Sequence, residues 1–167
     1  NVAQGVCGTG VNWSLDDQGV LTIGGEGEMN NFTTPTNTNA TLPSWNPWKS
    51  KIKRVVIEGG VAFVGNYAFY KYDNLEDVAF GEGVKRLGNR VFLGCIGLKK
   101  LELPESMEQI GGVWTNYSDY GATFSGCSGI TELTVPTNMK FLAANSFTGT
   151  KIEKINWNAI DCDADVV

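Results

Sequence analysis

The 167-residue chain contains no histidine. That absence removes the commonest general base, the serine–histidine and cysteine–histidine pairs, and most zinc and haem sites. Charge is sparse: 19% of residues are charged, the net charge is -5 and the pI is near 4.7. An acidic chain repels duplex nucleic acid rather than gathering it, so no nucleic-acid partner is expected. No apolar run is long enough to span a bilayer, and membrane attachment would need a signal or anchor outside this sequence. The chain begins at Asn1 rather than Met, which is compatible with a removed secretion signal. Four cysteines (Cys7, Cys95, Cys127, Cys162) are too few and too scattered for a disulfide framework.

What is present points to architecture. Hydrophobic residues make up 42% of the chain, enough for a core in one domain. The 21 glycines, with abundant asparagine, imply many turns. A six-residue pattern starts at Ile52, Leu75, Leu98, Ile130 and Ile152, so the steps are 23, 23, 32 and 22 residues. Its first, fourth and sixth positions are hydrophobic in every copy, from Ile52, Val55 and Ile57 to Ile152, Ile155 and Trp157. For fifteen independent positions that coincidence is about one in half a million, so the repeat is real.

The register extends beyond the strands. Val61, Val84, Met107 and Met139 form one column; Val64, Leu87, Ile110 and Leu142 form the next; Phe69, Phe92, Phe124 and Phe147 form a third. Gly65, Gly88 and Gly111 follow the second column, and Ala143 breaks that pattern. Each copy reads as a short strand, a bend, a second apolar turn and a Phe-anchored turn. One copy cannot bury its own apolar face, but stacked copies bury each other's.

The segments Val64-Gly65-Asn66-Tyr67-Ala68-Phe69, Leu101-Glu102-Leu103-Pro104 and Phe124-Ser125-Gly126-Cys127 resemble the BspA-like leucine-rich repeats of bacterial surface and secreted proteins. Residues 13–29, with Pro47-Trp48, resemble the amino-terminal cap that precedes such repeats. The resemblance runs from about Cys7 to Trp157 and lapses at 30–46 and 112–123. It implies a leucine-rich-repeat solenoid with an N-terminal β-hairpin cap, and an extracellular or cell-surface recognition role. The solenoid would hold a parallel sheet of about five stacked strands with short helical or irregular returns.

Three parts of one cooperative domain are expected: a cap over 1–51, a solenoid over 52–157 and a C-terminal stub over 158–167. In the cap, Val11–Leu15 and Val20–Ile23 flank a turn at Asp16–Gly19 and predict a hairpin. Trp45 and Trp48 flank a turn, placed either to plug the cap onto the first coil or to stack on a sugar. Strands 52–57, 75–80, 98–103, 130–135 and 152–157 should form one parallel sheet in sequence order. Their third positions, Arg54, Asp77, Lys100, Glu132 and Lys154, alternate in sign and should pair across neighbours. Cys95 and Cys127 fall three residues after Phe92 and Phe124 and should stack as free, buried thiols.

Little points to catalysis. Glu26 with Glu28, and Glu102 with Glu105, are the available carboxylate pairs. Nothing around either pair splits its pKa values or forms a sugar-cleaving cleft, so they read as surface acids. Asp161, Asp163 and Asp165 resemble the start of a calcium loop, but Val166 stands where its glycine belongs and the bidentate Glu is missing. No catalytic residue, metal site or cofactor is assigned. Asn-x-Ser/Thr matches at Asn12, Asn31, Asn39 and Asn116 are expected by chance in so asparagine-rich a chain and are only compatible with exposed loops.

Two surfaces offer recognition. One is the exposed strand face, with Val56, Ala79, Glu102, Thr134 and Asn156 in its central column. The other is the insertion within 112–121, where Trp114, Asn116, Tyr117 and Tyr120 give aromatic anchors among polar residues. A loop folded back over an adjacent coil is the equal alternative there. The expected function is a non-catalytic recognition or adhesion module for protein or glycan, a host extracellular component included. A structural spacer of a larger surface protein is the first alternative; a carbohydrate-active enzyme or enzyme-associated domain is the second.

Overall fold

The structure is a computed structural model and describes residues 1–112 and 120–164. It opens with three antiparallel strands: β1 (Ala3–Gly8), β2 (Val11–Leu15) and β3 (Val20–Gly25). Val11, Trp13 and Leu15 alternate with exposed or half-buried neighbours, so one face of β2 enters the core. Asp16 Oδ1 closes the expected turn by accepting from the amides of Gln18 (2.8 Å) and Val20 (2.9 Å). Strand β1 escaped the sequence reading, because Gln4 and Gly5 interrupt its alternation.

Strand β3 is also the first parallel strand. It pairs with β5 (Arg54–Ile57), which pairs in turn with β7 (Asp77–Phe80). A second, six-stranded parallel sheet holds β4 (Gly27–Glu28), β6 (Val61–Val64), β8 (Arg86–Leu87), β9 (Gln109–Ile110), β11 (Phe141–Leu142) and β13 (Asp163–Ala164). Both apolar columns of the second turn lie in or beside these short strands and are buried. Strand β13, within the expected C-terminal stub, pairs in parallel with β11 and is the last strand of this sheet. Among the described residues the only helix is a 3-10 turn at Asn46–Lys51, so the returns are irregular.

The first sheet departs from expectation. Strands β10 (Glu132–Val135) and β12 (Lys154–Trp157) pair in parallel, but segment 98–103 joins neither them nor β7. The expected five-stranded sheet is thus cut in two. One cause is visible in a repeated rung. The amides of Glu58, Gly81 and Asn158 bond back to Ile23 (2.9 Å), Ile57 (2.8 Å) and Val135 (2.9 Å). The equivalent residues on either side of the gap are Pro104 and Pro136, which have no amide to donate.

The core is a set of stacked columns. Ile52, Leu75, Leu98 and Ile130 are wholly buried, as are Val64, Leu87 and Ile110. The phenylalanine column is a ring stack: successive centroids of Phe69, Phe92, Phe124 and Phe147 lie 5.4, 5.2 and 5.5 Å apart. Trp45 heads it, 5.4 Å from Phe69 and fully buried, which settles that residue as a plug rather than a sugar platform. Each coil also holds two left-handed residues around its phenylalanine. Tyr67, Arg90, Ala122 and Asn145 form one such column, with φ between 55° and 60°. Lys71, Gly94, Gly126 and Gly149 form the other, with φ from 58° to 78°.

Cys7, Cys95 and Cys127 are buried and free, and Cys162 is half-buried and free. Cys95 Sγ donates to the Phe69 carbonyl (3.2 Å) and Cys127 Sγ to the Phe92 carbonyl (3.1 Å). Burial pushes the Cys127 thiol up to about 12, and Cys95 well above its ordinary value.

Candidate recognition surfaces

The exposed face of the first sheet carries the alternating charges. Arg54 and Asp77 are register partners and form an ion pair at 2.6 Å. Glu132 and Lys154 are also register partners, at 3.5 Å. Lys100 does not join the series: it lies in the unpaired segment and bonds Glu102, two residues on, at 2.8 Å. The hydrogen bond and charge of Glu102 raise its pKa, with a minor contribution from Asp77. The expected five-member ladder is therefore two pairs with a local pair between them. Asn156 Nδ2 donates to Glu132 Oε1 (3.0 Å) and Thr134 Oγ1 (3.2 Å), tying down the last strand's face.

The missing rungs leave a cleft on each side of segment 98–103. One, of about 460 Å³, is lined by Arg54, Asp77, Ala79, Phe80, Lys100 and Glu102. The other, of about 280 Å³, holds Lys99, Leu101, Thr131, Glu132 and Thr134. Both signs of charge and unpaired strand edges meet there, which suits a polar, irregular ligand surface better than a small apolar molecule.

The insertion belongs to a different place. Trp114, Asn116 and Tyr117 lie outside the described residues; Tyr120, at the insertion's end, is half-buried. Its neck is well defined. Asn89, wholly buried, accepts at Oδ1 from the amides of Gly112 and Gly121, both at 2.8 Å. Gly112 and Gly121 sit at φ 86° and 74°, and a Cβ on Gly121 would collide with the Ala144 carbonyl. Across this neck the second sheet continues in register, Gln109 beside Phe141 and Ile110 beside Leu142. The neck leaves from the end of β9 in the second sheet, whereas the clefts flank the first. The structure does not merge the two expected surfaces into one site.

Asn89 belongs to an asparagine ladder, buried at Asn66 and Asn89 and exposed at Asn31, that sequence reading missed. Asn31 Oδ1 accepts from the Asn66 amide (2.9 Å), and Asn66 Oδ1 from the Asn89 amide (2.8 Å). The available signal is the Gly-Asn pair recurring at 65–66 and 88–89; its glycines stand in the repeat register, but the register alone gives the asparagines no structural role. Glycine is required there because a Cβ on Gly65 would strike the Asn30 carbonyl, and one on Gly88 the Asn66 carboxamide. Among the described residues no group of three or more Cys, Asp or Glu side chains is arranged to hold a metal ion. No helix of the described residues is long and apolar enough to cross a membrane.

Comparison with solved structures places the fold. A leucine-rich repeat protein from Eubacterium ventriosum matches 99% of this chain at a TM-score of 0.72 and 19% identity. A leucine rich cell surface protein from Faecalibacterium prausnitzii matches 90% at a TM-score of 0.57 and 18% identity. A Bacteroides ovatus leucine-rich repeat protein matches 87% at 0.56 and 20% identity. The matches span 44%, 42% and 39% of those longer chains, respectively. Among curated proteins none is significantly similar. Residues 45–162 match the BspA type leucine rich repeat region in six copies, and with the stacked parallel strands this places the chain in the BspA-type leucine-rich repeat family.

Proposed function

We propose that this chain is a non-catalytic recognition module of a secreted or surface-attached bacterial protein, binding a protein or glycan outside the cell. The observation that carries the reading is the Asn89-closed neck. The coil stack passes it in register, so the scaffold has no need of the nine extra residues, and such insertions in repeat proteins often form the binding face. Trp114, Asn116, Tyr117 and Tyr120 are the proposed ligand contacts, since aromatic rings offer large contact area with few rotors to freeze. The proposed division is a cap over 1–51 that includes β1–β3, a solenoid over 52–157 and a C-terminal segment over 158–167. The named cell surface relative supports the location, and the acidic, histidine-free composition favours neither nucleic acid nor histidine-based catalysis.

The test is to replace residues 113–120 by a short Gly-Ser link and assay capture of extracellular-matrix and mucus components. The expected result is an almost unchanged Tm with binding lost. A melted protein, or undiminished capture by the shortened form, would make the insertion structural.

A further inference from the structure

Two cations close the ends of a short aromatic row beside the insertion neck. Lys71 Nζ stands 5.2 Å from the centre of the Tyr70 ring, and the Tyr70 and Tyr67 rings are 5.2 Å apart. The Arg90 guanidinium lies 6.0 Å from the Tyr67 ring. The Arg90 amide donates to the Gly121 carbonyl (3.0 Å), so the row ends at the neck. Arg54 pairs with Asp77 and Arg86 with Glu28, but no ion pair among the described residues engages Arg90 or Lys71.

Arg90 is held there at a cost. Its Nε is buried with no hydrogen-bond partner among the described residues, and Nη1 makes only a long bond to the Tyr67 hydroxyl, at 3.4 Å. An arginine so placed normally forks onto a carboxylate. The backbone does not ask for arginine either: the same left-handed position is taken by Ala122 and Asn145 in later coils.

The surroundings restrict what could answer these charges. Tyr67 is buried, Tyr70 and Arg90 are half-buried and Lys71 is exposed. The amides of Tyr67, Tyr70, Lys71 and Arg90 all donate within the protein, to the carbonyls of Asn89, Tyr67, Leu93 and Gly121. A peptide main chain would find no free amide in the row, unlike at the strand edges of the first sheet, so recognition runs through side chains. A pyranose carrying a carboxylate or a sulfate ester suits that set. Its C–H face packs on a tyrosine ring, and its anion takes charge-assisted bonds from the cations.

We propose that Tyr70, Lys71 and Arg90 form a binding site for an acidic glycan, one bearing carboxylate or sulfate groups, with Tyr67 positioning Arg90. The inference rests on the recognition role proposed above, but not on the insertion's own side chains.

The experiment is titration calorimetry of the full chain with sialyllactose, sulfated lactose and lactose. The three share a neutral core and differ in the acidic group, so the first two separate carboxylate from sulfate. At least one acidic sugar should bind about tenfold tighter than lactose, and less tightly as salt is added. Arg90→Gln and Lys71→Gln should each remove most of that advantage. Lys71 is exposed, so its variant keeps the Tm and reads binding apart from folding. Lys140→Gln, which removes a cation paired with Glu108, should change nothing. Equal affinity for lactose, or binding that survives both charge variants, overturns the proposal. Binding of poly-glutamate but of no sugar overturns it in favour of an acidic protein. Failure of every probe to bind also overturns it, while the recognition role is still decided separately by capture of matrix and mucus components with and without residues 113–120.

Discussion

Asn89 Oδ1 accepts the Gly121 amide at 2.8 Å inside a buried neck, so a single carbonyl oxygen fastens the far end of a loop to the coil beneath it. The same oxygen holds Gly112. Asn89→Ala should orphan two amides and cost about 1–3 kcal/mol. Chemical denaturation measures the cost, and amide exchange at Gly112 and Gly121 should accelerate selectively. Unchanged exchange at both glycines would show that the neck is held by other contacts.

Lys71 is the one non-glycine residue in its left-handed column, at φ 58° beside Gly94, Gly126 and Gly149. Left-handed backbone costs an L-residue about 1–2 kcal/mol. Lys71→Gly should therefore stabilise the protein, by less than that figure because the unfolded chain gains freedom and the contact of Lys71 with the Tyr70 ring is lost. A lower Tm for this variant would contradict the reading.

The thiols give a pH prediction. Cys127 is buried and its pKa is raised to about 12 from 9.0, so the folded state keeps its proton where the unfolded state loses it. Its contribution is fully present below pH 9 and is lost as the pH rises towards 12, at about 1.4 kcal/mol per pH unit. Cys127→Ala should flatten that part of the alkaline stability profile while lowering stability at pH 7. Thiol titration of the denatured, unreduced protein should find four free groups, and in the native protein Cys162 should react first.

The charge pairs differ in kind. A double-mutant cycle on Arg54 and Asp77 should give a coupling of about 0.2–1 kcal/mol that fades with salt, since both side chains are partly exposed. The same cycle on Lys100 and Asp77 should give a much smaller coupling, because Lys100 is bonded to Glu102 and Asp77 acts on it only at a distance. Coupling in the second cycle as large as in the first would restore the continuous ladder.

The coils were legible because their information is columnar. Ile52, Leu75, Leu98 and Ile130 must all be apolar to stack, and spacing alone exposes them. The phenylalanine stack and the paired Cys95 and Cys127 were legible for the same reason. Loss of pairing at 98–103 was not, since Leu98, Leu101 and Leu103 keep the apolar pattern whether or not their backbone is bonded. Pro104 and Pro136 were visible, but a proline just after a strand reads as ordinary punctuation until the rung it replaces is seen in other coils. The left-handed column at Tyr67, Arg90, Ala122 and Asn145 carries no glycine and leaves no trace in composition. Of the candidate site, the insertion's position was legible from the 32-residue step, but its closure by Asn89 was hidden among many asparagines.

The interrupted sheet has a mechanical consequence. Strands β8, β9 and β11 remain bonded across the interval in which β7, segment 98–103 and β10 are not. One flank is thus a continuous spine and the other a pair of open joints. Bending that widens the first-sheet side breaks no backbone bond there, whereas bending the other way strains the intact ladder. Opening at the third coil is therefore the deformation of this stack that costs the fewest backbone hydrogen bonds.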